Sequence, residues 1–296
     1  MIRLPYAVTG LALIGFAGFL LLSAPRMRDG TVFDGLVADP VQGAQVFWAA
    51  GCASCHTAPG ALPSDLPVLA GGQIFASPFG SFVAPNISTD ASAGIGSWSV
   101  ADFGQAIMDG VSPTGQHYFP ALPYTAYAKM DLQDVVDLKG FMDSLPADAT
   151  PSQPHQVGFP FNIRRSLGIW KLLFQPEGWV IAGDLTPPQL RGRYIAEALA
   201  HCGECHTPRN ALGGLDTARW LAGAPDPSGK GTIPNITPGK LTWSEAEIVE
   251  YLTSGFTPEF DTVGGPMTHV VSNMARLPAT DRAAVAAYLK KVPLIP

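Results

Sequence analysis

Hydrophobic and polar positions divide the 296 residues into one long apolar run followed by short helical stripes. The run covers Leu4 to Ala24 and contains no charge. That length matches the ~20 apolar residues needed to span a bilayer. A secretory signal has a shorter apolar core and a small-residue cleavage site, and Pro25 obstructs cleavage directly after Ala24. We therefore expect an uncleaved signal anchor, a transmembrane helix within residues 1–28, that leaves the rest of the chain in the periplasm. The competing reading is a cleaved signal and a soluble periplasmic protein. Arg26 and Arg28 lie on the exported side in either case, against the usual retention of positive charge inside.

Beyond residue 28 the stripes have the helical period. Val135, Leu138, Met142 and Leu145 form one apolar face, and Val285, Tyr288, Leu289 and Val292 form another. Ile248, Tyr251 and Leu252 form a third, behind Ser244 and Glu247 in a capping-box arrangement. Further helices are expected over Val41 to Ala50 and Gln189 to Ala200. Glycine and proline punctuate the stretches between them, which predicts long wrapping loops. The expected class is all-α.

The pattern occurs twice. Residues 51–57 read G-C-A-S-C-H-T, followed by L-A-G-G at 69–72, P-N-I-S at 85–88, Trp98 and Asp109-Gly110. Residues 201–207 read H-C-G-E-C-H-T, followed by L-A-G-A at 221–224, P-N-I-T at 234–237, Trp243 and Ser254-Gly255. This predicts two tandem helical domains, 29–148 and 187–296. The connecting segment 149–186 is too aromatic and apolar for a plain linker, and it should pack across both domains, dock a partner or lie on the membrane surface.

The repeat carries the chemistry. All four cysteines lie in its two C-x-x-C-H motifs, so none is left for a disulfide. In such a motif two thiols attach haem covalently and the adjoining histidine binds the iron. A single copy could equally be a zinc or redox motif. Two copies at matched positions in an exported chain indicate two covalently bound haem c groups, one on Cys52, Cys55 and His56, the other on Cys202, Cys205 and His206. The sixth iron ligand should be a methionine on the loop before each last helix. Met130 is the choice in the first copy. Met267, after Gly264-Gly265-Pro266, is preferred to Met274 in the second. Aligned directly, Met267 matches Leu122. His117 and His269 are minor candidates. Asn86, Asn235, Trp98 and Trp243 are expected to line the haems or fix loops.

The formal charge of −6 is unevenly spread. Residues 29–148 hold twelve aspartates against Lys129 and Lys139, while the second half is nearly balanced. This excludes a nucleic-acid partner, which needs a basic footprint, and suits a basic protein partner or a solvated acidic face.

At L-A-G-G-Q-I-F-A-S-P-F-G-S-F-V-A-P-N-I-S (69–88), Y-F-P-A-L-P-Y-T-A-Y-A-K-M (118–130) and H-C-G-E-C-H-T-P-R-N (201–210), the sequence resembles the cytochrome c subunits of periplasmic membrane-bound alcohol and gluconate dehydrogenases. The resemblance implies cytochrome c-like helical domains. It also implies electron transfer from a dehydrogenase subunit toward a respiratory acceptor cytochrome or oxidase. Those subunits commonly carry three haems, and they often have methionine in the segment P-A-M-P-Y, where Leu122 stands here. A di-haem enzyme with one open iron, of thiosulfate dehydrogenase or peroxidase type, is the alternative.

Overall fold

The computed structural model describes residues 3–175, 177–227, 229 and 231–296. Helix α1 (Arg3–Leu22) comes first. Among the described residues no helix is long and apolar enough to cross a membrane. This corrects the expected transmembrane anchor and the membrane attachment inferred from it. Polar residues recur up to Thr9, and the following stretch without one, residues 10–22, is about 20 Å long at 1.5 Å per residue. The hydrocarbon core of a bilayer is ~30 Å thick. The last turn of α1 is tied to the rest of the chain instead. Arg165 donates to Leu20 O at 2.6 Å and to Ser23 Oγ at 2.9 Å, and His117 Nε2 donates to Ser23 O at 3.0 Å. These bonds satisfy carbonyls that a helix end leaves without partners.

The first copy opens with α2 (Pro40–Ala49), which Asp39 caps by accepting from the backbone N–H groups of Val41 and Gln42. Proline at the first helical position loses no hydrogen bond there. Then come α3 (Cys52–His56), strands β1 (Ile74–Ser77) and β2 (Gly80–Val83), and α4 (Val100–Gly104), which runs on as a π-helical turn, Gln105–Asp109. A capping box between Ser99 and Asp102 starts α4. The copy closes with α5 (Tyr124–Tyr127) and α6 (Leu132–Met142). The connecting segment adds β3 (Gln156–Val157) and α7 (Ser166–Phe174). The second copy holds α8 (Pro187–Arg193), extended by a π-helical stretch Tyr194–Leu199, then α9 (Gly203–His206), β4 (Ala224–Pro225) and β5 (Thr232–Ile233). It ends with α10 (Glu245–Ser254), α11 (Met267–Met274) and α12 (Ala279–Lys291).

The all-α expectation therefore needs a second correction. Antiparallel β1–β2–β3 and β4–β5 form small sheets. Ser77 Oγ donates to Gly80 O at 2.8 Å and closes the hairpin. Gly80 has a φ of 129°, and a Cβ there would strike Gln156 O, so only glycine lets β3 lie this close.

In each copy the first helix packs on the last, α2 on α6 and α8 on α12. One apolar core runs through both copies, from Phe47, Val135 and Leu138 to Ile195, Val285 and Tyr288. Polar bonds cross between them as well. Asn273 Nδ2 donates to Ser54 Oγ at 2.9 Å, and Thr125 Oγ1 to Glu204 Oε1 at 3.0 Å. Asp131 N donates to Tyr194 Oη at 3.1 Å. Arg276 pairs with Asp65 and lies over the Trp48 ring.

The connecting segment packs on both copies. Trp170 Nε1 donates to Leu212 O at 2.8 Å. Lys171 Nζ donates to Asp109 O at 2.5 Å and Gly110 O at 2.8 Å, and meets His117 Nδ1 at 3.1 Å. Desolvation lowers Lys171 to about 8, opposed in part by Asp109. An unfolded lysine titrates near ~10.4. Between those two values the unfolded chain holds the extra proton, so stability rises with pH. Denaturant titrations from about pH 8 to about pH 10 should show this rise in the parent protein and not in Lys171→Met. Parallel pH profiles for the two proteins would refute it.

Candidate haem sites

Each C-x-x-C-H motif forms a short helix directly after a helix that carries core residues. Gly51, with φ at 68°, turns the chain from α2 into α3. In the second copy His201 takes the equivalent place at φ 41°. Among the described residues the cysteines form no disulfide. Desolvation raises Cys52 and Cys202 to about 12. Cys55 is raised to about 11, by desolvation first and by Cys205 of the other copy second. Each motif is bonded to the other copy, Ser54 to Asn273 and Glu204 to Thr125.

The motif histidines are held alike. Nδ1 of His56 is 2.8 Å from Pro85 O, and Nδ1 of His206 is 2.8 Å from Pro234 O. A carbonyl only accepts, so the proton sits on Nδ1 and leaves the Nε2 lone pair free to bind a metal. Desolvation lowers both pKa values and outweighs the carbonyl bond, which keeps the rings neutral. The loops are pinned alike too. Gly71 N donates to His56 O, and Gly223 N to His206 O, each at 2.7 Å. Paired thiols beside a neutral imidazole of this tautomer fit a covalently attached haem. A structural zinc site would gather four ligands, and among the described residues no group of three or more His, Cys, Asp or Glu side chains gathers as a metal site.

The prolines that orient the histidines were not singled out from sequence, although both belong to the repeated P-N-I-S and P-N-I-T motifs. The neighbouring asparagines fix loops. Asn86 Nδ2 donates to Asp148 O and Thr150 O, and Asn235 Nδ2 to Ile295 O. Each thereby ties its histidine loop to the chain leaving the last helix. Trp98 and Trp243 pack against the core.

A cytochrome c family profile matches residues 40–146 and again 190–293. The chain belongs to the cytochrome c family. It is 54% identical over 288 residues to a diheme cytochrome c-type protein of Cereibacter sphaeroides, covering 97% of both chains. It is 39% identical to a fructose dehydrogenase cytochrome subunit of Gluconobacter japonicus, over 83% of this chain and 51% of that one. With a gluconate 2-dehydrogenase cytochrome c subunit of Pantoea cypripedii it shares 31% identity, over 92% of this chain and 63% of the other. This cytochrome thus spans 51% and 63% of these two dehydrogenase subunits.

The methionines occupy unlike places in this cytochrome. Met267 opens α11 rather than lying in a turn, and it packs half-buried against the core. Met130 and Met274 are buried core residues. His117 is buried and bonded through both ring nitrogens, while His269 is exposed. His201 packs edge-on to Tyr127, with ring centroids 5.7 Å apart, at the junction of the two copies.

Proposed function

We propose that this cytochrome carries two covalently attached haems and passes single electrons in the periplasm, from a partner dehydrogenase toward a respiratory acceptor. The duplicated motif, with each histidine turned by a proline carbonyl, carries the reading. Haem, when bound, supplies reversible one-electron chemistry. Cys52, Cys55 and His56 would hold one haem, and Cys202, Cys205 and His206 the other. The Pro85 and Pro234 carbonyls fix each imidazole and raise its basicity as a ligand. The relatives named as dehydrogenase cytochrome subunits support a dehydrogenase as donor, and the acidic first copy suits a basic face on a partner.

In the second copy Met267 is the proposed sixth ligand. Met267→Leu should leave both haems attached and convert one iron to the high-spin state, with a lower reduction potential, read by visible and magnetic circular dichroism spectra. Two low-spin irons in that variant would remove Met267 from the role. The alternative, an enzyme with one open iron, draws on the first copy.

A further inference from the structure

The loop before the last helix has the same backbone scaffold in both copies. An isolated bridge pairs Val111 with His117, and its counterpart pairs Phe256 with Thr262. Tyr118 N donates to Gly110 O at 2.7 Å, and Val263 N to Gly255 O at 2.8 Å. Ser112 N donates to Gln116 O, and Thr257 N to Asp261 O. Gly110 and Gly255 both have positive φ, as do Gly115 and Phe260. Every pair is separated by the same step along the chain. That step takes Met267 back to Leu122, and both are half-buried against the core.

A different register governs the residues just before the last helix. Met130 N donates to Tyr127 O as Leu277 N does to Met274 O. Lys129 N bonds Ala126 O as Arg276 N bonds Asn273 O. Met130 thus takes the place of Leu277, and each is 4% exposed. The structure gives Met130 a leucine's core position, and the step of the preceding scaffold pairs Leu122 with the proposed methionine ligand.

Among the described residues Tyr124 Oη has no hydrogen-bond partner, and burial holds its phenol protonated, while His117, His155 and Tyr127 are engaged elsewhere. His117 bonds Ser23 O through Nε2 and Lys171 through Nδ1. His155 Nδ1 accepts from Val83 N at 3.1 Å, which puts the proton on Nε2 and removes the lone pair an iron would need. Tyr127 Oη donates to Ala50 O at 2.9 Å.

We propose that the iron of the first haem has no side-chain ligand on its Leu122 face, and that this face binds small neutral diatomic molecules at ferrous iron. This rests on the two-haem reading and makes the copies unequal. The second would be a closed electron-transfer centre, and the first an open one behind an apolar residue. An apolar wall favours an uncharged ligand over an anion, which would lose its hydration there.

The test uses the full-length holoprotein, reduced with dithionite and titrated with carbon monoxide. Haem content is measured first by the pyridine haemochrome assay. Two haems per chain uphold the two-haem reading, and fewer overturn it whatever the gas does. Given two haems, the visible spectrum of one haem in two should shift on adding carbon monoxide. Leu122→Met should abolish that shift and add a methionine-to-ferric-iron charge-transfer band. Met130→Leu should respond as the parent does. No response in the parent protein, or a response that survives in Leu122→Met, overturns the proposal. A response that appears only in Met130→Leu overturns it too, and makes Met130 the ligand.

Discussion

Replacing Cys202 and Cys205 together by alanine is expected to cut the covalently bound haem from two groups per chain to one. A c-type haem is retained by its thioethers, and the remaining His206 supplies only one reversible bond. The loss should also destabilise the second copy. Its apolar core, which includes Ile195, Val285 and Tyr288, would lose the packing that haem adds to it. Because the apolar core is continuous through both copies, the first should weaken as well. Haem staining of the denatured protein and the haemochrome assay read the first effect, and thermal unfolding reads the second. An unchanged haem content would show that these thiols do not hold the cofactor.

Gly192→Ala is expected to cost about 3 kcal/mol, at the upper end for an overpacked core site. In a chain of this size that is a fall of roughly 5 °C in Tm. A Cβ on Gly192 would overlap Ala284 O and approach Tyr288 Cβ to 2.7 Å. The obstacle is backbone, so no rotamer change relieves it. Gly43 holds the matching position in the first copy, where a Cβ would overlap Asp137 O and come within 2.9 Å of Phe141 Cβ. The two crossings, α2 on α6 and α8 on α12, depend on these glycines in the same way. A Tm within a degree or two of the parent would mean that the helices can separate without loss.

These glycines show where reading the sequence stops. The stripes Val135–Leu145 and Val285–Val292 are legible because a helix repeats its face at a fixed period. The C-x-x-C-H motifs are legible because their chemistry is local, with all three groups within five residues. A glycine at a crossing has meaning only once its partner helix is known, and that partner lies about ninety residues away. The sixth ligand is hard for the same reason. Met130 lies on the right loop in sequence, direct alignment already pairs Met267 with Leu122, and the bridges Val111–His117 and Phe256–Thr262 repeat that register in the backbone. The β-hairpin at 74–83 was missed because its strands are four residues each and carry no clear alternation. The N-terminal run is legible as a helix, while its reach across a membrane is overstated when Tyr6 and Thr9 are counted with the apolar residues.

Ser54 in the first motif bonds Asn273 of the second copy, Glu204 in the second motif bonds Thr125 of the first, and one apolar core joins the two copies. Two separate carriers exchange electrons only as often as they collide, and each collision must find the right orientation. Here the encounter is completed once, when the chain folds. Exchange between the two centres then becomes a first-order property of a single molecule, the same in dilute and in crowded solution.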